Sequence, residues 1–292
     1  MITGTARTHI GGLVAITRYT NSLYAAMYTL IGAYLAGGLA AAVTIPAGLA
    51  ALVVGLTVAY GFVINDYRDV VEDGYQKPQR PIPAGRVLRR DALTFALFLS
   101  GGALLLALTL GPLMTLVAVG CVAVATLYSF ALKGTVLWGN ACMASLIAAI
   151  PVYGALTTGG IDLRVWIVAG LMWLFDFSHE ILKTTADHAG DRRAGLRTVA
   201  TAFGVPRAVR IFQGAALLFL LVASLPAVLG MAPIGYLLAL ILCAVLPTLS
   251  VVAMLARSTS DATITRALKI MRYMWLSNLI PILILGLPAF SV

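Results

Sequence analysis

Charge is what this 292-residue chain has least of. Asp, Glu, Lys and Arg make up 11% of it, where soluble domains carry roughly a quarter. Apolar residues make up 61% and the mean hydropathy is +0.97, so a soluble globule would lack the polar surface to cover its core. Cysteine is nearly absent: Cys121, Cys142 and Cys243 lack metal-ligand spacing, their odd number gives no disulfide framework, and they read as small core residues. No Gly-rich loop ends in Gly-Lys-Ser or Gly-Lys-Thr, which argues against nucleotide hydrolysis. Residues Met1 to Arg18 contain no apolar signal core, so no cleavable leader is expected there. The short alternating segments of a membrane barrel are also missing.

What is present is a series of about nine apolar runs of about 18 to 22 residues, each long enough to cross the bilayer as a helix. They centre near Tyr28, Gly55, Gly101, Val122, Ala148, Gly170, Leu218, Leu240 and Leu279. The expectation is an all-α, polytopic membrane protein forming one domain over residues 1–292, with the lipid bilayer as its solvent. The net charge of +9 raises nucleic acid as a partner, but its distribution points elsewhere. Arg7 and Arg18, the cluster from Arg68 to Arg90, Lys133, the cluster from Lys183 to Arg210, and Arg257, Arg266, Lys269 and Arg272 all sort to one side of nine spans. Arg257, Arg266, Lys269 and Arg272 are expected between spans eight and nine. Arg164 alone falls on the other side. The positive-inside rule then places the N-terminus and these loops in the cytoplasm, and the charge is topological rather than a nucleic-acid footprint.

Acidic residues number only eleven, yet most occupy two places. The first is Asn65-Asp66-Tyr67-Arg68-Asp69-Val70-Val71-Glu72-Asp73, at the end of span two. On a continued helix Asn65, Asp69 and Asp73, or Asp66, Asp69 and Asp73, share one side. The second is Asp176, Glu180, Lys183, Asp187 and Asp191, whose steps of four, three, four and four put all five on one helix face. Like charges this close repel, and in the first cluster oxygen ligands with no His or Cys nearby favour Mg²⁺ as the compensating ion. Both clusters fall on the same side by the charge sorting, so they can face one cavity. Cations surround them: Arg68, Lys77 and Arg80 near the first, Lys183, Arg192, Arg193 and Arg197 near the second, Lys133 between. Carboxylates for metal beside cations for phosphate oxygens suit a diphosphate whose departure builds negative charge.

At these residues the chain resembles the UbiA-type intramembrane prenyltransferase superfamily. The first signature there is Asn-Asp-x-x-Asp-x-x-x-Asp, here Asn65, Asp66, Asp69 and Asp73, followed by Arg80-Pro81-Ile82-Pro83-Ala84-Gly85. The second has an Asp-x-x-x-Asp core, here Asp187 and Asp191, then Arg192-Arg193-Ala194-Gly195. Tyr128-Ser129 with Lys133, Gly139-Asn140, and the opening Arg18 and Asn21 also match. Tyr19 stands where many members have Pro. The resemblance implies nine helices in a ring around a central cavity, Mg²⁺ as cofactor, and an isoprenoid diphosphate as substrate. By position, Asn65, Asp66, Asp69, Asp73, Asp187 and Asp191 would hold metal, and Arg18, Asn21, Arg68, Arg80, Lys133 and Lys183 would contact the diphosphate. Asp66, Asp69, Asp187, Asp191 and Lys133 would carry the catalysis.

His179-Glu180-Ile181-Leu182-Lys183 before Asp187 resembles the branch that prenylates geranylgeranylglyceryl phosphate. That branch has Arg at position 179, Asp at 184 and Glu at 186, where this chain has His179, Thr184 and Ala186. The leading expectation is Mg²⁺-dependent prenyl transfer to a small aromatic or hydroxyl acceptor within the membrane. Two alternatives stay open: a terpene cyclase on the same scaffold, which the altered acceptor-side residues would suit, and a transporter of an anionic substrate. Asp176, His179 and Glu180 are candidates to orient the acceptor or take its proton. His9 reads as a tail residue and His188 as a solvated one. The aromatics Tyr24, Tyr28, Tyr60, Phe62, Tyr128, Tyr153, Trp173, Phe175 and Phe177 are candidates to line a prenyl tunnel. The Pro-punctuated stretch around Pro78, Pro81 and Pro83 can act as a lid that excludes water; protection from protease by substrate plus Mg²⁺ would show it.

Overall fold

The computed structural model describes residues 2–288, so Met1 and residues 289–292 of the expected single unit lie outside the description. Each apolar run is a helix long enough to span a bilayer, and no strand occurs among the described residues. A leading helix α1 (Ile2–Ile16) precedes the spans α2 (Tyr19–Ala42) and α3 (Ile45–Arg68). After the short α4 (Val70–Gln76) come α5 (Arg89–Thr109), α6 (Pro112–Leu127), α7 (Trp138–Ala155) and α8 (Leu163–Ala186). Two short helices, α9 (His188–Arg193) and α10 (Val199–Phe203), lead into α11 (Val205–Val228). The eighth span is α12 (Tyr236–Leu240) and α13 (Leu246–Arg257), and the ninth is α14 (Asp261–Ser277) and α15 (Leu279–Leu285).

The helix starts are written locally. Thr44 caps α3, its hydroxyl accepting from Ala47 N at 3.3 Å with Pro46 just inside the first turn. Asp162 caps α8, accepting from Arg164 N at 2.7 Å. The eighth span is interrupted by a π-turn over Ile241–Val245, two residues before Pro247. Proline donates no hydrogen bond to the carbonyl four residues back. The Ser277 hydroxyl donates to the Cys243 carbonyl at 3.1 Å instead, a side chain from the next span satisfying the backbone that lipid cannot.

Consecutive spans pack against one another around a ring, which α15 closes against α2. Tyr28 and Tyr34 on α2 donate their hydroxyls to the Trp275 and Leu283 carbonyls at 2.8 and 3.1 Å, tying the first span to the last. Inside the ring α2 also crosses α7 at backbone distance. A Cβ on Gly154 would lie 1.8 Å from the Thr29 carbonyl oxygen, and one on Gly32 would lie 1.9 Å from that of Pro151. Only glycine permits that approach. A cavity lies between α3, α6, α7 and α8. Over its most apolar 18 residues α8 is 72% buried, against 22–50% for the same length of the other spans, so the second acidic motif hangs from the most enclosed helix.

Two expectations are corrected, on the α14 cations and on His9. Arg266, Lys269 and Arg272 belong to α14, within the ninth span, not to a loop. Their three-residue spacing keeps them on one exposed strip while Ile264, Ala267, Met271 and Met274 bury the other. The stretch before Arg18 is helical, and Ile16 packs in one cluster with Ile82 and Val87. His9 is not a free tail residue: its Nε2 pairs with Asp91 Oδ2 at 3.0 Å.

Candidate active site

The first motif works because α3 does not continue. It ends at Arg68, Asp69 leaves helical geometry at φ −86° and ψ 9°, and α4 restarts at Val70. The break turns Asn65, Asp69, Glu72 and Asp73 toward the cavity. Asn65 Nδ2 donates to Asp69 Oδ2 at 2.8 Å. Lys133, just past the π-turn Tyr128–Leu132, donates to the same oxygen and to Glu72 Oε2 at 3.2 Å. Burial pushes the Asp69 carboxyl above its ordinary range, and the Lys133 ammonium opposes the shift.

Asp66 takes a different place from the other acids of this motif. It is buried and does not line the cavity. Arg18 Nη2 and Arg80 Nη1 donate to its Oδ1 at 2.8 and 3.1 Å, and Arg80 reaches Asp73 Oδ2 at 2.5 Å. Arg18 has a left-handed backbone (φ 47°) and lies 4.5 Å over the Phe62 ring. Such a conformation in a non-glycine residue is held by its surroundings, here the ring and the carboxylate. Asp66 thereby fastens the start of α2 and the Arg80 loop to α3, and the loop proposed as a lid is anchored at the cavity through Arg80.

The second motif repeats the device. Helix α8 ends at Ala186, Asp187 breaks it at φ −87° and ψ 3°, and α9 carries Asp191. Asp187 and Asp191 line the same cavity as the first motif. Lys77 Nζ lies 3.8 Å from Asp187 Oδ2. Burial first, and then Asp187, push the Asp191 carboxyl up to about 6. Arg197 N donates to the Gly134 carbonyl at 3.0 Å, holding this segment beside Lys133. Further in along α8, Glu180, Lys183 and Thr184 line the cavity, with Lys183 Nζ 2.5 Å from Glu180 Oε1. Asp176 and His179 lie behind them.

The cavity holds about 250 Å³ and changes character with depth. Its mouth carries the carboxylates with Arg18, Lys77, Arg80, Lys133 and Lys183, and its inner part is apolar, with Val53, Ala118, Met143, Ile147, Ile150 and Tyr153. Along α3 the distance from Asn65 to Val53 is about 18 Å at the helical rise. Of the aromatics considered above, Phe62, Tyr128 and Tyr153 line it, while Tyr24, Tyr28, Tyr60, Trp173, Phe175 and Phe177 do not. Asn21 and Arg68 are exposed and outside the lining, as are Arg192 and Arg193. Lys77, expected among the cations near the first cluster, lines the site; Glu72 and Thr198 join it without having been expected to bind, although Glu72 had its signal, lying three residues past Asp69. The donors at the mouth fit Mg²⁺. Asn65, Asp69, Glu72, Asp73, Asp187 and Asp191 offer only oxygens, with no Cys or His among them. The elevated Asp69 and Asp191 are two carboxylates that a bound cation would relieve.

Comparison with known proteins bears on the same residues. A digeranylgeranylglyceryl phosphate synthase of Halobacterium salinarum is 40% identical over 202 residues, 68% of this chain and 72% of the relative. A solved structure of a digeranylgeranylglyceryl phosphate synthase superposes with a TM-score of 0.79 at 23% identity, covering 95% of this chain and 98% of that one. A UbiA homologue from Archaeoglobus fulgidus, solved with DMAPP and Mg²⁺, gives a TM-score of 0.68 at 16% identity over 92% and 98% of the two chains. The model of the UbiA prenyltransferase family matches residues 25–279, which include both acidic motifs and every cavity-lining residue except Arg18, and the chain belongs to that family.

Proposed function

We propose that this membrane enzyme transfers a geranylgeranyl group from its diphosphate to the free hydroxyl of a prenylated glycerol phosphate. One observation carries the reading: two acidic motifs from distant helices and Lys133 share one polar mouth, and that mouth opens into an apolar tunnel. The relative from Halobacterium salinarum, named for the product digeranylgeranylglyceryl phosphate, supports this choice of donor and acceptor, and the tunnel depth suits a long prenyl tail.

Asn65, Asp69, Glu72, Asp73, Asp187 and Asp191 are the residues that would hold Mg²⁺, which when bound neutralises diphosphate oxygens and stabilises the leaving group. Lys133, Lys77 and Arg80 bring fixed positive charge to the same mouth, where negative charge grows as the C1–O bond breaks. Lys133 has to release Asp69 to do so, exchanging a carboxylate for a phosphate oxygen. Asp66 and Arg18 act by position, holding Arg80 in place. The apolar wall keeps water from the allylic carbon until the acceptor reaches it. By the distribution of Lys and Arg, we place the mouth on the cytoplasmic side.

The transferase relatives weigh against the cyclase alternative, and a transporter has no use for a diphosphate mouth on an apolar tunnel. The test is product analysis with purified protein, Mg²⁺ and geranylgeranyl diphosphate, with and without geranylgeranylglyceryl phosphate, beside Asp69→Ala. The expected result is digeranylgeranylglyceryl phosphate only when both substrates are present, and none from the variant. A cyclic terpene formed without acceptor would replace the transferase with the cyclase.

A further inference from the structure

The mouth accounts for the donor's diphosphate but leaves a second ionisable cluster unused. One helical turn and more below Asp187, α8 carries Asp176, His179 and Glu180, whose ligating atoms lie within 4.8 Å of one another. Glu180 lines the cavity with Lys183 and Thr184. Its Oε1 is held by Lys183 at 2.5 Å. Asp176 is 6% exposed, and its Oδ2 is fully buried with no hydrogen-bond partner. Tyr128 on the facing π-turn lies near Glu180, Asp69 and Asp176. Arg18 at the head of α2 and Arg272 on α14 are the other charges close to the cluster. Two carboxylates lie together here with one ammonium, which is bonded to Glu180, and one Asp176 oxygen has no donor. That arrangement has room for a proton.

Depth along α8 decides what the proton belongs to. Glu180 is seven residues inward of Asp187, about 10 Å along the helix axis. With the diphosphate at the mouth and the prenyl tail in the tunnel, the reactive C1 lies inward of the phosphates, on the side of Glu180. A hydroxyl attacking C1 must lose its proton there, in apolar surroundings where water is a poor sink.

Building on the transferase reading, we propose that Glu180 is the catalytic base that takes the acceptor's hydroxyl proton, with Asp176 and His179 positioning it. The bond between C1 and the bridging diphosphate oxygen breaks, and its electron pair leaves with the diphosphate. A lone pair of the acceptor hydroxyl oxygen forms the new C1–O ether bond. The hydroxyl proton passes to the Glu180 carboxylate, which Lys183 keeps oriented. Asp176 stands directly behind as the neighbouring oxygen pair. The cluster is not needed for the donor metal, since Asp176 and His179 do not reach the cavity wall and Lys183 already supplies a cation to Glu180.

The test separates capture from ionisation. Wild type, Glu180→Gln and Asp176→Asn are given Mg²⁺, geranylgeranyl diphosphate and geranylgeranylglyceryl phosphate, and ether product and diphosphate release are measured together. Binding of geranylgeranyl thiodiphosphate reports that each variant retains a folded mouth. For E180Q the expected result is ether formation down about 100-fold or more, the range of a lost general base, with diphosphate release reduced less than about tenfold and geranylgeraniol appearing instead. For D176N the expected result is an intermediate loss in kcat with the donor KM unchanged, restored in part by Asp176→Glu. Equal loss of ether and diphosphate release in a variant that binds the analogue would place Glu180 on the donor side and overturn the proposal. So would an E180Q enzyme with wild-type transfer. If E180Q does not bind the analogue, D176N decides by the same ratio of ether to diphosphate. Wild-type protein that releases diphosphate but joins no hydroxyl acceptor overturns the transferase reading itself.

Discussion

Lys133→Met makes opposite demands on metal binding and on turnover, so it tests the electrostatics of the mouth. Lys133 is the only ammonium bonded to Asp69 and Glu72 among the described residues. Without it Asp69, with a side chain 3% exposed, keeps Asn65 alone as a side-chain donor. Breaking a buried pair costs about 3 to 5 kcal/mol. Lys133 and Glu72 are 29% and 27% exposed, so solvent screening brings the figure to about 2 to 3 kcal/mol. For a chain of this size that is a fall of about 3 to 5 °C in melting temperature, scanned at one fixed rate. The same deletion removes a charge that repels Mg²⁺ and frees an Asp69 oxygen. Mg²⁺ affinity in the absence of diphosphate therefore rises about tenfold, and saturating Mg²⁺ returns about 2 to 3 kcal/mol by mass action. Turnover moves the other way, falling about 100- to 1,000-fold with one cation lost from the leaving group. The assay is thermal unfolding in nanodiscs at pH 8 with and without Mg²⁺, beside single-turnover transfer. A K133M protein as stable as wild type without metal, or gaining no more from Mg²⁺ than wild type gains, would refute this reasoning.

Other outcomes follow from other contacts. Gly154→Ala puts a methyl group on the Thr29 carbonyl and should cost about 2 to 3 kcal/mol by overpacking, read as a lower melting temperature, with part of the activity retained. Arg80→Met leaves Asp73 without its only ion-pair partner among the described residues; loss of transfer and a melting temperature lowered by several degrees are expected. Arg68→Ala, exposed and outside the cavity, should change kcat/KM by less than about threefold, the scale of a surface change. EDTA should abolish transfer and added Mg²⁺ should restore it.

Much of this was legible in the sequence for physical reasons. Spans must be long and apolar because lipid satisfies no backbone group, so nine helices could be counted and their centres placed. Acids are costly in such a chain, so two clusters stood out, and the structure brings both to one cavity. The exception at α14 has the same cause read in reverse. Arg266, Lys269 and Arg272 lower the local hydropathy enough to resemble a loop, although their spacing keeps them on a single helical strip. Asp66 shows the limit of periodicity. It is one residue from Asn65, about 100° around the helix, and which of the two meets the cavity depends on Arg18 and Arg80, residues far from it in sequence. The helix breaks at Asp69 and Asp187 left no signal, because neither proline nor glycine marks them.

The central claim is that both acidic motifs and Lys133 form one magnesium–diphosphate site. Its most direct test is Mg²⁺-dependent binding of geranylgeranyl thiodiphosphate, by calorimetry in nanodiscs, to wild type, Asp69→Ala and Asp191→Ala. The account predicts that wild type binds only with Mg²⁺ and that each single variant weakens binding by about tenfold or more, the loss of one ligand's worth of free energy. A variant in either motif that binds as wild type does would contradict it, because that motif would then lie outside the site.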